Sequence, residues 1–406
     1  MTASRRFTSR VAAAAVLVFL ASWVLAHLGP LNREQIIDTP VYENYGAAME
    51  GGRLPYRDFR LEYPPGALPV FVLPALLSER GDGQDYRVVF GDLMVLFGIF
   101  SIFLVAILLD GLGASRARVT AALLGVAVFP LLLGSVVLTR FDLWPASLTV
   151  AALAALVWQR DRLGFGLLGL AVVAKLYPVV LAPLALSYVW RRRGRREALV
   201  CLGVMAAVVV AVFGPFLLLA PDGVAYSFSR QLGRPLQIES LGSAFFLAAH
   251  QAFGLELEMR SSHGSQNLHG TGPAVAAALL SIAQLGALVW IWLRRPGTAE
   301  ELLRWSAAAL VAFVALGKVF SPQFLVWLVP LIPLVAGRRG LRASVLLSAA
   351  LVRTQLWFPS GYWELAIEFD AVASWLVLVR DLMLVALLVV LVRPARETER
   401  VPARSP

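Results

Sequence analysis

Residues 197–220 read EALVCLGVMAAVVVAVFGPFLLLA, and Glu197 is the one charged residue in this stretch. An apolar run of this length can cross the hydrocarbon core of a membrane as an α-helix. Similar runs recur along all 406 residues, of which 59% are hydrophobic and 15% are charged. Charged residues make up about a quarter of an average soluble protein. Because lipid offers the backbone no hydrogen-bond partners, continuous apolar runs indicate helices, and the sequence predicts an all-α polytopic membrane protein.

Twelve segments have the composition of membrane-spanning helices within one integral domain, residues 1–406. They are residues 10–29, 88–110, 119–138, 142–158, 162–176, 178–190, 197–220, 273–293, 302–317, 323–336, 341–357 and 371–392. An even number of spans places both termini on one side, where the arginine-rich segments also fall, whereas most acids fall on the other side. The positive-inside rule therefore predicts cytoplasmic N- and C-termini in a cell membrane, and the net charge of +10 reflects this topology.

Two long segments, residues 30–87 and 221–272, are predicted to lie on the outer side. The first contains residues 38–66, DTPVYENYGAAMEGGRLPYRDFRLEYPPG, which is long and polar for a plain connection. Thr39 as an N-cap and Pro40 at the first helical position predict a short helix there. The apolar run that follows, ALPVFVLPALL, is too short to span, so we expect a second short helix at the outer membrane interface.

Asp38 stands directly before the first of these short helices, and two interpretations of it stay open. Its carboxylate could stabilise the positive end of the helix dipole. Alternatively, it could be a general base held at the membrane surface, within reach of a lipid head group.

Lysine is rare in this chain: 34 of the 36 basic residues are arginine. The two lysines, Lys175 and Lys318, lie at the outer ends of predicted spans. They could anchor the helix ends by snorkelling, or they could bind one shared anion, because a compact ammonium suits a phosphate group. Arg140 and Asp142 occur at the same level and could either join such a site or pair with each other.

The sequence gives little support for other kinds of site. The four histidines show no metal-ligand spacing and there is no phosphate-binding glycine loop, so we predict no metal site among the side chains and no cofactor, while a requirement for a divalent metal stays open. Because the net charge reflects topology, it gives no reason to expect a nucleic-acid partner. Residues 261–272, SSHGSQNLHGTG, could form a flexible lid or a linker. Arg380 and Asp381 lie inside the last span, where we expect neighbouring helices to neutralise them, and the sequence assigns them no task.

Several short motifs together resemble glycosyltransferase family 87, one of the C-type (GT-C) membrane glycosyltransferases. They are the Asp38 segment with Tyr42, GGRLPY (51–56), EYPPG (62–66), KLYP (175–178) and KVFSPQ (318–323). The resemblance implies a GT-C-type fold of about twelve transmembrane helices, with a long first outer loop that carries short interfacial helices. It also implies inverting transfer of a hexose, mannose first, from a polyprenyl-phosphate donor to an extracytoplasmic glycolipid or glycan.

Site residues follow from this resemblance. It implies that Asp38 is the general base, and a donor phosphate is a suitable partner for Lys175, Lys318 and Arg140. We expect weaker contacts with the substrate or acceptor from Tyr42, Glu62, Tyr63, Tyr177, Gln323 and His269. Family members that extend phosphatidylinositol mannosides have two histidines after the late Ser-Pro pair, where this chain has Gln323, so the acceptor and the sugar stay open.

Two other classes of function remain as alternatives. A transporter or lipid flippase usually has polar groups near mid-membrane on broken helices in repeated halves. The polar residues here gather at one face, which favours an enzyme. A non-catalytic membrane subunit would use the Asp38 segment as a docking surface only.

Overall fold

The computed structural model describes residues 3–28, 36–79, 81 and 83–394. The first six residues of the predicted outer segment, the end of the first predicted span and the C-terminal tail lie outside the described residues.

Helices account for most of the described chain. The α-helices are α1 (Ala3–Ala26), α2 (Thr39–Glu50), α3 (Leu68–Leu77), α4 (Gly83–Gly111), α5 (Arg116–Leu133), α6 (Ser135–Thr139), α7 (Leu143–Val157), α8 (Asp161–Ala174), α9 (Ala182–Arg193), α10 (Arg195–Leu219), α11 (Pro221–Leu232), α12 (Leu241–Phe253), α13 (Thr271–Trp292), α14 (Ala299–Ala315), α15 (Phe324–Leu328), α16 (Gly337–Trp357), α17 (Tyr362–Glu368) and α18 (Ala371–Val392). Short 3₁₀ helices occur at Pro65–Ala67, Tyr177–Leu181 and Ile332–Leu334.

The predicted membrane-spanning character is confirmed. Six of the described helices, α1, α4, α5, α10, α13 and α18, are long and apolar enough to cross a membrane. The other predicted spans fall on helices that are shorter or carry more charge, so the total of twelve spans stays a prediction. Residues 323–336 are not one continuous helix, because Pro330 and Pro333 supply no backbone N–H, and they form α15 followed by a 3₁₀ turn.

Helices α7 and α14 form the centre of the bundle, since nearly every residue from Pro145 to Leu156 and from Leu302 to Val314 is buried. Alanine is frequent in both helices, which allows neighbouring helices to approach closely. Around them, α1 packs on α5, α4 and α8 pack on α7, and α16 packs on α18. By contrast, α10 and α13 have few buried residues and present most of their surface outward.

The first outer segment folds against this bundle. Helix α2 packs on α3, and α3 packs on α4, so both predicted short helices are present. The predicted cap is displaced by one residue: Asp38, not Thr39, is the N-cap of α2, and its side chain makes no capping hydrogen bond. No backbone N–H at the start of α2 donates a hydrogen bond to the Asp38 carboxylate, so the helix-dipole interpretation has no such bond to support it. The depth of α3 relative to the membrane stays a prediction.

The second outer segment is more ordered than the sequence suggested. It contains α11, α12 and three antiparallel strands, β1 (Leu236–Gln237), β2 (Glu258–Ser262) and β3 (Ser265–His269), in the order β1-β3-β2. The expectation of a lid or linker at residues 261–272 is wrong over the strands, because His263 and Gly264 form a two-residue turn with φ of +54° and +70°. Such left-handed turns match the twist of a β-hairpin.

Candidate active site

Asp38 lies between a tyrosine and an arginine at the start of α2. Its Oδ2 accepts a hydrogen bond from the Tyr42 hydroxyl at 3.2 Å, and its Oδ1 forms an ion pair with Arg140. The Asp38 side chain is 28% exposed, whereas Arg140 is almost fully buried. Arg140 also donates to the carbonyl oxygen of Ile36 at 3.1 Å. The fold thus brings the predicted base and one predicted phosphate contact together.

Lys175 lies beside the same region but pairs with a different carboxylate. Its Nζ lies 2.6 Å from Asp142 Oδ1, and the Trp327 indole donates to the same oxygen at 2.5 Å. The ammonium also faces the rings of Phe141 and Trp327, at 4.7 and 5.2 Å from their centroids. Asp142 therefore pairs with Lys175 and not with Arg140, which settles the local pair left open by the sequence.

Aromatic side chains form the support beneath these charges. Tyr42 stacks on Phe71 with ring centroids 4.6 Å apart, and it meets Tyr63 and Phe141 edge to face. Burial raises the pKa of Tyr42, so its hydroxyl stays a hydrogen-bond donor to Asp38.

Tyr177 takes part in a second aromatic stack. Its ring lies 3.9 Å from that of Trp327, and its hydroxyl lies 3.2 Å from Thr149 Oγ1. Tyr42 and Tyr177 are thus buried parts of the site's framework, and Tyr63 is a half-buried part of it.

Glu239 is a buried carboxylate of this site that the sequence analysis missed. Its Oε2 accepts a hydrogen bond from Gln237 Nε2 at 2.6 Å, and its Oε1 is buried without a partner. Burial raises its pKa to about 7, against the opposing effect of Arg380, Arg140 and Arg234. The sequence shows only QIES within a long polar segment, which gives no sign that the acid is buried.

Arg234 is a second residue that the sequence did not indicate. Its Nε is buried and has no hydrogen-bond partner among the described residues. Burial lowers its pKa, while Glu62, Tyr63 and Glu239 lie near enough to oppose that effect. Arg234 therefore lies where the first outer segment meets the second.

Electrostatic contacts join these groups into one cluster, hereafter the outer cluster: Asp38, Arg140, Asp142, Lys175, Arg234 and Glu239. Asp142 and Glu239 both act on Arg140, whose pKa burial lowers to about 10. Arg140 and Arg234 both lie close enough to repel the Lys175 ammonium. Cations and acids from four separate parts of the chain thus surround one region.

The remaining predicted residues lie further from Asp38 or are engaged elsewhere. Lys318 Nζ donates to the carbonyl oxygen of Leu232 at 3.1 Å, and no contact among the described residues joins it to Lys175. Glu62 forms an ion pair with Arg230 at 2.9 Å. Gln323 is the N-cap of α15, and its Oε1 is buried without a partner. The remaining residue, His269, ends β3 and is exposed.

No group of three or more His, Cys, Asp or Glu side chains within the described ranges could hold a metal ion.

Comparisons with known proteins give a structural neighbour and a family. The crystal structure of ArnT from Cupriavidus metallidurans bound to undecaprenyl phosphate is similar at 14% sequence identity, with a TM-score of 0.48, over 93% of this chain and 76% of that chain. A comparison with curated proteins gives no match.

The model of Glycosyltransferase family 87 matches residues 61–322. That range includes Arg140, Lys175, Arg234 and Glu239, while Asp38 precedes it. Because the match spans more than half of the sequence, the resemblance is confirmed: this multi-pass membrane protein belongs to glycosyltransferase family 87.

Proposed function

We propose that the protein transfers a hexose, mannose first, from a polyprenyl-phosphate sugar to an extracytoplasmic glycolipid or glycan, with Asp38 as the general base. The observation that supports this function best is the position of Asp38. Its carboxylate is partly exposed, its neighbour Arg140 is buried, and a tyrosine hydroxyl orients it. A base that meets an incoming acceptor needs such access, and a departing phosphate needs buried cations.

The reaction requires one carboxylate. The acceptor hydroxyl oxygen attacks the anomeric carbon and forms the new glycosidic bond. The bond from that carbon to the phosphate oxygen breaks, and its electron pair stays on the phosphate. Asp38 takes the hydroxyl proton. Phosphate is already a good leaving group, so the second, acidic carboxyl of a glycosidase is unnecessary, and direct displacement inverts the anomeric centre.

Arg140 links donor binding to the base. Its guanidinium pairs with Asp38. A lipid phosphate offers the same guanidinium a charge-assisted, bidentate partner. Exchange of Arg140 from the carboxylate to the phosphate would leave an oxygen of Asp38 free to accept the acceptor proton.

Other predicted residues have supporting roles in this proposal. Lys175 and Lys318 stay proposed phosphate contacts, and Asp142 holds the Lys175 ammonium in place. Gln323 is a proposed acceptor or sugar contact, because its buried Oε1 lacks a partner. Weaker contacts are proposed for Glu62, Tyr63, Tyr177 and His269. The proposal includes cytoplasmic termini and an active site on the outer face of the cell membrane.

The test compares sugar transfer in membranes that contain wild type, Asp38→Asn or Asp222→Asn, supplied with labelled polyprenyl-phosphate mannose and host lipid extract. Asp222 provides a matched control, because its carboxylate is exposed on the second outer segment. We expect label in a new glycolipid with wild type and Asp222→Asn, and none with Asp38→Asn.

Other outcomes separate the alternatives. Transfer from polyprenyl-phosphate glucose or arabinose, but not from polyprenyl-phosphate mannose, would show that mannose is the wrong sugar and would leave the proposed mechanism unchanged. Movement of the labelled lipid across the bilayer without a new product would indicate a flippase. Full activity of Asp38→Asn would contradict the proposed base.

A further inference from the structure

Glu239 is a buried acid whose hydrogen bonds are incomplete. It is 2% exposed, yet only its Oε2 has a partner, Gln237 Nε2. The other oxygen, Oε1, is buried and has no hydrogen-bond partner in the described chain. A buried acceptor left unsatisfied is costly, and in native proteins such a group calls for an explanation, of which a ligand is one.

The nearby cations do not provide the missing partner. Arg380 donates to the backbone oxygen of Glu239 at 2.7 Å and forms its ion pair with Asp381. Arg140 is paired with Asp38. Arg234, which also acts on Glu239, has a buried Nε without a hydrogen bond. Among the described residues of the outer cluster, two acid oxygens, Glu239 Oε1 and Asp142 Oδ2, and one guanidinium nitrogen, Arg234 Nε, are therefore buried with neither a hydrogen bond nor an ion pair.

The backbone holds Glu239 in a fixed position. Gln237 N donates to the carbonyl oxygen of Lys318 at 3.0 Å, and Ile238 N donates to that of Gln266 at 3.0 Å. Ser240 follows as the N-cap of α12. The Arg380 guanidinium, which binds the backbone oxygen of Glu239, lies 3.9 Å from the Phe320 ring centroid. A side chain fixed by packed strands and helices can bind a ligand without a large ordering cost.

From this arrangement, and resting on the proposed function, we propose that the Glu239 carboxylate binds a hydroxyl group of the donor sugar. Phosphate and sugar are covalently joined in the donor, so the group that binds one places the other nearby. Besides Arg380, which pairs with Asp381, the cations that act on Glu239 are Arg140, which is buried, and Arg234, which is half-buried. With the phosphate on these two arginines, the attached sugar presents hydroxyl groups as donors to the free Oε1.

Glu239 is not placed as a second general base. A general base must reach the acceptor, take its hydroxyl proton and later release that proton to solvent. Asp38 suits this task, because it is the partly exposed acid that contacts Tyr42 and Arg140. Glu239 is enclosed, and its role is recognition. The Gln237 bond to Oε2 keeps the other oxygen available, because it fixes the rotation of the carboxylate.

The test measures lipid binding, so that it does not depend on turnover. Purified Asp38→Asn protein in detergent is compared with the same protein that also carries Glu239→Gln or, as a control, Glu258→Gln. Glu258 is an exposed acid of β2 paired with Arg260, so its loss leaves the outer cluster intact. The two probes are bare polyprenyl phosphate and the polyprenyl-phosphate sugar that the wild-type protein uses in the transfer experiment. If that experiment shows no transfer, the second probe is polyprenyl-phosphate mannose.

We expect Glu239→Gln to weaken binding of the sugar-bearing lipid about 10- to 100-fold, the usual range for a hydrogen bond to a charged group. Binding of bare polyprenyl phosphate should not weaken, because the negative charge that is removed lies beside the arginines that hold the phosphate, and retained binding also shows that the variant is folded. Glu258→Gln should change neither. A donor analogue whose sugar lacks the hydroxyl that Glu239 contacts should bind the parent Asp38→Asn protein weakly. Its affinity should match that of the complete donor for the protein that also carries Glu239→Gln.

Two results would overturn the inference. Equal binding of the sugar-bearing lipid to parent and Glu239→Gln protein would show that the carboxylate does not touch the sugar. An equal loss for both lipids would give Glu239 a role in shaping the phosphate site. If neither lipid binds the parent protein, the donor class in the proposed function is wrong and the inference falls with it, an outcome distinct from the other two.

Discussion

Lys175 and Asp142 form a buried ion pair with 2.6 Å between Nζ and Oδ1, and the Trp327 indole donates to the same oxygen. Asp142 is the N-cap of α7, Lys175 is the C-cap of α8, and Trp327 belongs to α15. One carboxylate oxygen, two residues along the chain from Arg140, therefore joins α7, α8 and α15. The stability of this junction and the activity of the site are expected to change together.

Loss of Lys175 should destabilise the protein. Lys175→Met leaves the Asp142 carboxylate buried without its cation, and breaking one partner of a buried pair costs about 3–5 kcal/mol. We expect a clearly lower melting temperature in detergent. The double variant Asp142→Leu/Lys175→Met should lose less than the sum of the two single variants, because no charge is left uncompensated. A melting temperature of Lys175→Met equal to that of wild type would contradict the prediction.

Gly66 has no room for a side chain. A Cβ atom there would lie 2.6 Å from the backbone carbon and oxygen of Val173 in α8, and the Gly66 carbonyl accepts a hydrogen bond from Trp144 at 3.1 Å. Gly66→Ala should therefore push the EYPPG turn off α8, lowering both the melting temperature and the transfer rate.

Gly203 in α10 is the matched control for Gly66. A Cβ at Gly203 would meet no atom within 4 Å, so Gly203→Ala should be neutral or stabilising by about 1 kcal/mol through its helix propensity. Equal effects of the two substitutions would show that crowding at Gly66 is not the cause.

Glu239 should make stability fall as the pH rises. Its pKa in the folded protein is about 7, above its ordinary value of 4.5, because burial disfavours the carboxylate. Between these values the folded state holds the proton more tightly than the unfolded state, so the unfolding free energy decreases with pH. The unfolding free energy should fall by about 3 kcal/mol in all. None of this loss has occurred below pH 4.5, and the loss is complete above pH 7. Arg140, whose pKa is about 10, stays charged over this range.

Comparison of melting temperatures of wild type and Glu239→Gln between pH 5 and 8 checks this sign. The amide does not titrate, so wild type should lose stability relative to the variant as the pH rises. A constant difference between the two proteins would mean that Glu239 keeps one protonation state over the range.

The sequence by itself determined the membrane-spanning character and the family. Apolar runs such as residues 197–220 suffice for this, because length and hydropathy decide whether a segment crosses a bilayer. The short helices around residues 39–50 and 68–77 also follow from local signals, a capping position with proline and an apolar run. The family motifs are local too, and the family match over residues 61–322 confirmed them.

The tertiary structure decided which charges meet. The Asp38 side chain pairs with Arg140 and caps no backbone N–H of α2, and Asp142 pairs with Lys175 although Arg140 is nearer in sequence. Pairing depends on where helices end in space, which residue order does not specify. Glu239 looks like any loop acid in the sequence, and burial between strands and helices gives it an altered pKa and an unpaired oxygen. Desolvation is a property of the folded surroundings, so only the fold could reveal this part of the site.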